Sequence, residues 1–459
     1  MIDGSASQRA PVDLAIEGGT VVLPTGPRKM NVLVEDGRIV EIGTDRRAAR
    51  THHDATGLIV LPGFVDAHVH CMEQVEPARE DWDHACRAAL AAGATTLIEH
   101  THAAPVRTAP QLRSKRAWLE GRATVDYAFA AHAWPGRPSD AVDVWLGGAA
   151  YLKVFTCTTH GVEGFDSESL AELFAATAPV GATCLVHCED QSVLDDNERR
   201  LHASDRTDGW IVPCWRSLHA ERSAVEQVLR LAVHARADVV IAHASSPAIV
   251  DAVRGARALG ASVAIETCPQ YLTLLETEVG EQGALRKFTP PARARDAAEL
   301  ALMWDLLRNG AITYVSSDHA PATREQKRAG TIWDAPFGLP GLDTTSAIMI
   351  DAACNNRIAW RAVAEVYARS PARVYGLAGK GSLEPGYDAD LVLVDPAASW
   401  TLTDSAIRSK AGWSPYAGRA LRGRVVATIR GGRVVHDVQH PDLRPSPGRF
   451  LAGRGAIGV

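Results

Sequence analysis

At 459 residues the chain exceeds a typical single domain but fits one large α/β barrel carrying a smaller module, so a sizeable buried core is available to it. Hydrophobic residues at 46% and charged residues at 22% are ordinary for a globular protein, and 48 basic against 54 acidic side chains leave a formal charge of -6, so no nucleic-acid partner is expected. The opening MIDGSASQRAP lacks the apolar core of a secretory signal, no apolar run approaches the roughly 18 residues of a membrane span, and the eight cysteines form no CxxC pairs; these features predict a cytoplasmic chain with reduced thiols and no membrane partner.

From Asp13 to Val60 apolar residues alternate in DLAIEGGTVVL, NVLVEDGRIVEIG and GLIVLPG, punctuated by Gly and Pro at hairpin-like intervals, which predicts a small antiparallel β unit. Strand candidates follow in LIVLPGFVDAHVH, ATTLIEHTH, VDYAFAAHAW, AAYLKVF, ATCLVHCED, DVVIAHASS, SVAIETCPQ and ITYVSSDHAP. The stretches between them, such as DWDHACRAALAAG, SLAELFAATAPVG, SAVEQVLRLAVHA and AAELALMWDLLRNG, place apolar residues every three to four positions and mostly end in Gly, as helices do. Eight such units predict a TIM-type (β/α)8 barrel over residues 61–374. The β pattern returns in ADLVLVD (389–395) and RVVATIRGGRVVHD (424–437), where Gly431 and Gly432 mark a turn. Residues 12–60 and 375–445 are therefore expected to share a small β-sandwich domain, with 446–459 a C-terminal tail.

A barrel of this kind exposes its chemistry at the C-terminal ends of its strands, so polar residues should cluster where each apolar run stops. The first run stops at His68 and His70, which share one face because side chains alternate along a strand. Later runs stop at Lys153, His187, His243 and Asp318. A lone histidine at a strand end is more often structural, but six such groups around one mouth are a metal-ligand set of imidazole and carboxylate type, zinc by preference. An ammonium has no lone pair, so Lys153 can join only after losing its proton and adding carbon dioxide to become a carbamate. The expected cofactors are two divalent metal ions and a CO2-derived carbamate on Lys153.

Through GFVDAHVH (63–70), YLKVF (151–155), VHCED (186–190), AHASS (242–246), ETCPQYL (266–272) and SSDHAP (316–321), the sequence resembles the cyclic amidohydrolases along nearly its whole length. That group contains hydantoinases, dihydropyrimidinases, allantoinases and dihydroorotases. The resemblance implies that His68, His70 and Asp318 hold the first metal, carboxylated Lys153 bridges, and His187 and His243 hold the second. It further implies hydrolysis of a C–N bond in a small cyclic amide, imide or ureide by a hydroxide shared between the metals, with Asp318 as the proton shuttle, in a homotetramer or dimer.

The ring is read from departures. Met72 stands where dihydroorotases carry an arginine, His102 where they carry an asparagine and Ala322 where they carry a histidine, while Thr158 replaces the tyrosine usual in hydantoinases and dihydropyrimidinases. KVFTCTTHG and WSPYAGRALRGRVVATIRGGRVV look closest to the allantoinase branch, so an allantoin- or hydantoin-type five-membered ring is expected, the alternative being a six-membered ring of the dihydropyrimidinase or dihydroorotase kind. Substrate contacts are expected at His100, His102 and Thr158, and through backbone groups at Thr289 and Gly338. A non-enzymatic assembly partner would not need the complete ligand set, and a single-metal deaminase would not need Lys153.

Overall fold

A computed structural model describes residues 10–100 and 102–456; the opening residues 1–9, Thr101 between the two strand-end histidines, and 457–459 of the expected tail lie outside the described residues. In chain order the first strands are β1 (Val12–Leu23), β2 (Gly26–Glu35), β3 (Arg38–Gly43), β4 (Ala49–Asp54) and β5 (Ile59–Pro62). Next come β6 (Phe64–Val69), β7 (Ala94–Glu99), β8 (Asp126–Phe129), β9 (Ala131–His132), β10 (Leu152–Phe155), β11 (Thr183–His187), β12 (Asp238–Ile241), β13 (Val263–Thr267) and β14 (Tyr314–Val315). The chain closes with β15 (Leu391–Thr401), β16 (Ala420–Arg430) and β17 (Arg433–Asp437).

The two ends of the chain meet in one mixed sheet ordered β17-β16-β15-β5-β1-β2-β3, with β4 also pairing β1. Strand β5 is the joint, parallel to β1 and antiparallel to β15. The alternation read from the sequence has its reason here: Leu14, Ile16, Val32, Val34 and Ile39 bury one face against Leu391, Leu393 and Ile429 from the other end of the chain.

Strands β6 to β14 are parallel to their neighbours and alternate with helices, among them Trp82–Ala91, Ala109–Leu119, Ser167–Thr177, Leu218–Ala235, Pro247–Ala258 and Ala297–Arg308. Helix starts carry the expected caps: Asp81, Thr108, Asp166, Ser217 and Asp296 each accept a backbone N–H of the first turn. Two sheets are formed, β6-β7-β8 and β9 through β14. Only Ala130 separates β8 from β9, and its N–H donates to Glu99 O. At the other margin a parallel bridge pairs Val69 with His319, and His70 N–H donates to His319 O at 2.8 Å. Along these strands Val65, Ile98, Ala128, Leu185 and Val240 form one buried cluster, while their neighbours Phe64, Leu97, Phe129, Val186 and Ile241 pack with helix residues such as Ala85, Leu173, Val225 and Leu307. This period-two division aims one face of every strand at the helices and leaves strand ends to carry the polar groups. No helix among the described residues is long and apolar enough to cross a membrane.

The C-terminal segment is packed rather than trailing. Tyr127 N–H donates to Arg449 O at 3.0 Å, Leu451 N–H returns to Tyr127 O at 2.7 Å, and Gly453 N–H reaches Gly148 O at 3.0 Å.

Beneath this contact Lys380 is buried among three carboxylates, Asp126 of β8 and Asp388 and Asp390 just before β15, its Nζ lying 2.9 Å from Asp388 and 2.7 Å from Asp390. The attraction of these carboxylates outweighs burial and raises the lysine pKa. Replacing Lys380 with Met leaves buried carboxylates short of a cation, and such removals cost about 3–5 kcal/mol. Lys380→Met should therefore lower the midpoint of denaturant or thermal unfolding clearly, whereas Lys410→Met, at a part-exposed pair with Asp81, should barely move it.

Candidate metal centre and active site

His68 lies in β6 and His70 directly after it, Lys153 lies in β10, His187 ends β11, His243 follows β12 by two residues and Asp318 follows β14 by three. All six line one cavity, together with His102, Phe155, His160, Thr289, Ala320, Phe337 and Gly338. His243 (φ 36°) and Asp318 (φ 47°) both adopt the left-handed backbone region that residues with a Cβ rarely occupy, a strain concentrated where the chain turns its ligating groups inward.

Proton positions follow from the partners. His68 Nδ1 donates to Glu266 Oε1 at 2.8 Å and His70 Nδ1 donates to the carbonyl of His100 at 2.6 Å. Burial drives the His68 pKa well below its ordinary value, so its ring is neutral and has no second proton. The Nε2 atoms of His68 and His70 are 3.1 and 3.5 Å from Asp318 Oδ1. Burial alone would raise the Asp318 carboxyl, but His68 and His70 outweigh it and hold it below the usual carboxylate value. The His68 lone pair and an ionised carboxylate thus face one another beside His70 Nε2, an arrangement that a cation completes.

The opposite side of the cavity repeats the pattern. His187 Nε2 donates to Glu189 Oε2 at 2.8 Å, which leaves Nδ1 facing His243 Nε2 at 3.0 Å. Bonds of ~2.0–2.1 Å to one zinc ion put adjacent nitrogens roughly this far apart. Burial lowers both ring pKa values. Glu189 is itself fully buried; desolvation pushes its pKa up, yet Arg216 at 3.0 Å, His187 and the Thr289 hydroxyl at 2.8 Å overcome this and hold it at about 2. Between the two halves, burial lowers the Lys153 ammonium to about 8, the shift a lysine needs to present a free amine near neutrality.

The residues expected to touch substrate divide into layers. His102 lines the cavity, stacks on His160 with ring centroids 4.5 Å apart and planes 8° from parallel, and lies 4.2 Å from the His70 ring. Thr289 and Gly338 also line it. The Thr289 hydroxyl is committed to Glu189 and the Gly338 N–H to Lys287 O. Gly338 has φ 110°, and a Cβ there would stand 2.3 Å from Ala320 O, so no larger residue fits the wall as built. Thr158 sits farther out, in an outer recess shared with Met72, Trp215, Arg216 and Lys287; its N–H donates to Gln191 and its hydroxyl accepts from Gly164. His100 is 1% exposed and lies in the layer beneath His68 and His70.

Sequence reasoning missed Glu266, Glu189, Arg216 and His160. The two glutamates end strand motifs already singled out, ETCPQ and VHCED, and the strand-end test extended to them would have found both. Arg216 and His160 come from segments without strand periodicity, and only the fold brings them to the site.

The chain matches the amidohydrolase family over residues 59–435. An allantoinase of Salmonella choleraesuis (strain SC-B67) is 33% identical over 450 residues, spanning 96% of this chain and 98% of that protein. Among solved structures, the L-hydantoinase (dihydropyrimidinase) of Arthrobacter aurescens superposes with a TM-score of 0.90 at 27% identity, covering 96% of this chain and 100% of that one. The dihydropyrimidinase of Brevibacillus agri NCHU1002 superposes at 0.89 with 25% identity, covering 97% and 99%. The chain belongs to the amidohydrolase family, within its allantoinase–hydantoinase branch.

Arg216→Met strands the Glu189 charge in the interior, which costs about 3–5 kcal/mol at neutral pH. In the parent, Glu189 titrates in the folded state at about 2, so its contribution is complete above the reference value of 4.5 and is lost as pH falls toward 2. In the variant the unpaired carboxyl protonates at higher pH and its penalty is relieved on acidification. The stability gap between parent and Arg216→Met, followed by denaturant unfolding, should therefore narrow as pH falls below about 4.5.

Proposed function

We propose that this protein is a two-metal hydrolase that opens a five-membered cyclic ureide or imide of the allantoin or hydantoin type. The observation that carries the reading is the convergence of His68, His70, Lys153, His187, His243 and Asp318 on one cavity, with His68, His70 and His187 each anchored through its other ring nitrogen on Glu266, His100 O and Glu189. Two divalent ions, zinc by ligand type, would be held by His68, His70 and Asp318 on one side and His187 and His243 on the other with carboxylated Lys153 between, supplying a water of lowered pKa and polarising the ring carbonyl.

The chain's own groups do the rest. Lys153, its amine freed by burial, adds CO2 at Nζ and releases one proton, which converts a repelling cation into a bridging anion. Asp318, held ionised, takes the proton of the attacking water at its carboxylate and hands it to the departing ring nitrogen, so that no free amide anion has to leave. Phe155 and Phe337 offer flat apolar walls, and His102 stacked on His160 offers a polar one, around a ring of this size. Its imide edge is assigned to backbone groups at Thr289 and Gly338 other than the Gly338 N–H, which Lys287 O already holds.

The same reading extends to architecture. The bridge between Val69 and His319 supports closure of β6 to β14 into a (β/α)8 barrel over residues 61–374, with residues 12–60 and 375–445 forming a β-sandwich domain. Assembly as a homotetramer or dimer in the cytoplasm belongs to the proposal.

Zinc-reconstituted enzyme assayed for ring opening should show its highest kcat/KM on allantoin or a substituted hydantoin among allantoin, hydantoins, dihydrouracil, dihydroorotate and simple cyclic imides; dihydroorotate ahead of all others would overturn the ring assignment. Asp318→Asn should lose about 10²–10⁴-fold in kcat while retaining most of its metal, the loss expected for a proton-transfer group. Enzyme equilibrated with ¹³C-bicarbonate should give one carbamate ¹³C resonance that is absent from Lys153→Arg.

A further inference from the structure

His100 belongs to neither the ligand set above nor the cavity wall. It follows β7 directly, is 1% exposed, and its ring centroid lies 4.5 Å from that of His68 and 4.4 Å from that of His70. One ligand atom from each of His68, His70 and His100 can be chosen so that all three fall within 4.8 Å of one another.

The hydrogen bonds fix which atom His100 offers. The Tyr151 hydroxyl is 2.9 Å from the carbonyl oxygen of Ala67, and a carbonyl only accepts, so the phenolic proton lies on that contact. His100 Nδ1 is 2.9 Å from the same hydroxyl, which has no further proton to give, so Nδ1 carries the ring proton and donates it to the tyrosine oxygen. With Nδ1 committed to the tyrosine, Nε2 is the atom left to face a ligand. That Nε2 is buried and has no hydrogen-bond partner among the described residues.

A buried acceptor without a partner is costly, and native folds rarely retain one without a use for it. The arrangement also matches its neighbours. His68 is anchored through Nδ1 on Glu266, His70 through Nδ1 on the His100 carbonyl, and His100 through Nδ1 on Tyr151. Anchoring one ring nitrogen to orient the other is how metal-ligating histidines are held. Resting on the two-metal reading, we infer that His100 is a seventh ligand, binding through Nε2 the ion held by His68 and His70.

A crystal structure of the zinc-loaded full-length enzyme tests this directly. His100 Nε2 is expected about 2.0–2.1 Å from the ion at His68 and His70. An ion at that place with His100 Nε2 more than about 3 Å away, or bonded to a water instead, overturns the inference and leaves the two-metal reading standing; absence of any ion at His68 and His70 in the loaded enzyme defeats that reading itself. In chelator competition with zinc, His100→Phe should weaken the hold on one of the two ions by about 10–100-fold or more and leave the other unchanged, and Tyr151→Phe, which keeps the ring but removes its anchor, should cause a smaller loss. A folded His100→Phe that binds both ions as tightly as the parent overturns the assignment, and should that variant fail to fold, the crystal structure of the parent decides.

Discussion

A neutral imidazole has one proton and one lone pair, and at this site burial enforces neutrality on nearly every ring. His68, His100, His187 and His243 are all sealed from solvent and their pKa values are driven down by desolvation. A ring that parks its proton on an acceptor outside the cavity can turn a lone pair into it, and Glu266, Tyr151 and Glu189 are those acceptors for His68, His100 and His187. These acceptors in turn depend on others: Glu266 also accepts from Tyr314 and from the His243 N–H, and Glu189 from Arg216 and Thr289. A charged residue as far off as Arg216 thus determines which nitrogen of His187 is free. The parallel strands matter because β7, β11 and β13 bring His100, Glu189 and Glu266 to the same site from their C-terminal ends.

Much of this was legible in the sequence because a strand with one face on helices and the other on a shared interior writes itself as an apolar run that stops abruptly. The stops at His70, His187, His243 and Asp318 were readable for that reason, whereas Lys153, expected to end its run, lies second in β10 with Val154 and Phe155 after it; the same logic held for the terminal sheet, where Leu14, Ile16, Val32 and Val34 alternate. What escaped lacks that signature. Strands β9 and β14 are two residues each, too short to establish a period. The segment around Arg449 to Gly453 pairs with Tyr127 and Gly148 through backbone groups and packs Phe450 on Tyr127 and Phe129, but it is too short to show a period that would mark it as other than a tail. His160 reaches the cavity from a loop, and the Glu189–Arg216 pair joins residues on unrelated elements.

His319 illustrates how a residue beside a ligand can serve structure. Its Nδ1 accepts from the N–H groups of Gly341 and Leu342, both at 3.2 Å, so its proton is on Nε2, which donates to Glu80 at 3.2 Å. Glu80 also accepts from the Ser409 hydroxyl at 2.6 Å. One imidazole therefore pins the strand end bearing Asp318 to the Phe337–Leu342 wall and to the segment preceding β16. The left-handed backbone at Asp318 is affordable because its neighbour is held on three sides.

Charge bookkeeping around the mouth bears on the ring. A substrate with its own carboxylate needs a cation whose charge is not already balanced, and the cations nearest the cavity have partners: Arg216 is paired with Glu189, Arg79 with Glu76 and the Pro321 carbonyl, and Lys287 donates to the carbonyls of Ile332 and Trp333. Desolvation also lowers the Lys287 pKa to about 8, which weakens it as a permanent charge. Lys153, the one lysine or arginine lining the cavity among the described residues, would become an anion on the proposed carboxylation. Met72 and Ala322, where the dihydroorotases carry charged or polar groups, add nothing that could replace them. Beside Lys153 and Asp318, the inner surface is made of imidazole edges, two phenylalanine faces, Thr289, Ala320 and Gly338, which complements an uncharged ring carrying N–H and C=O groups and penalises one whose carboxylate would lose its water without gaining an unpaired cation.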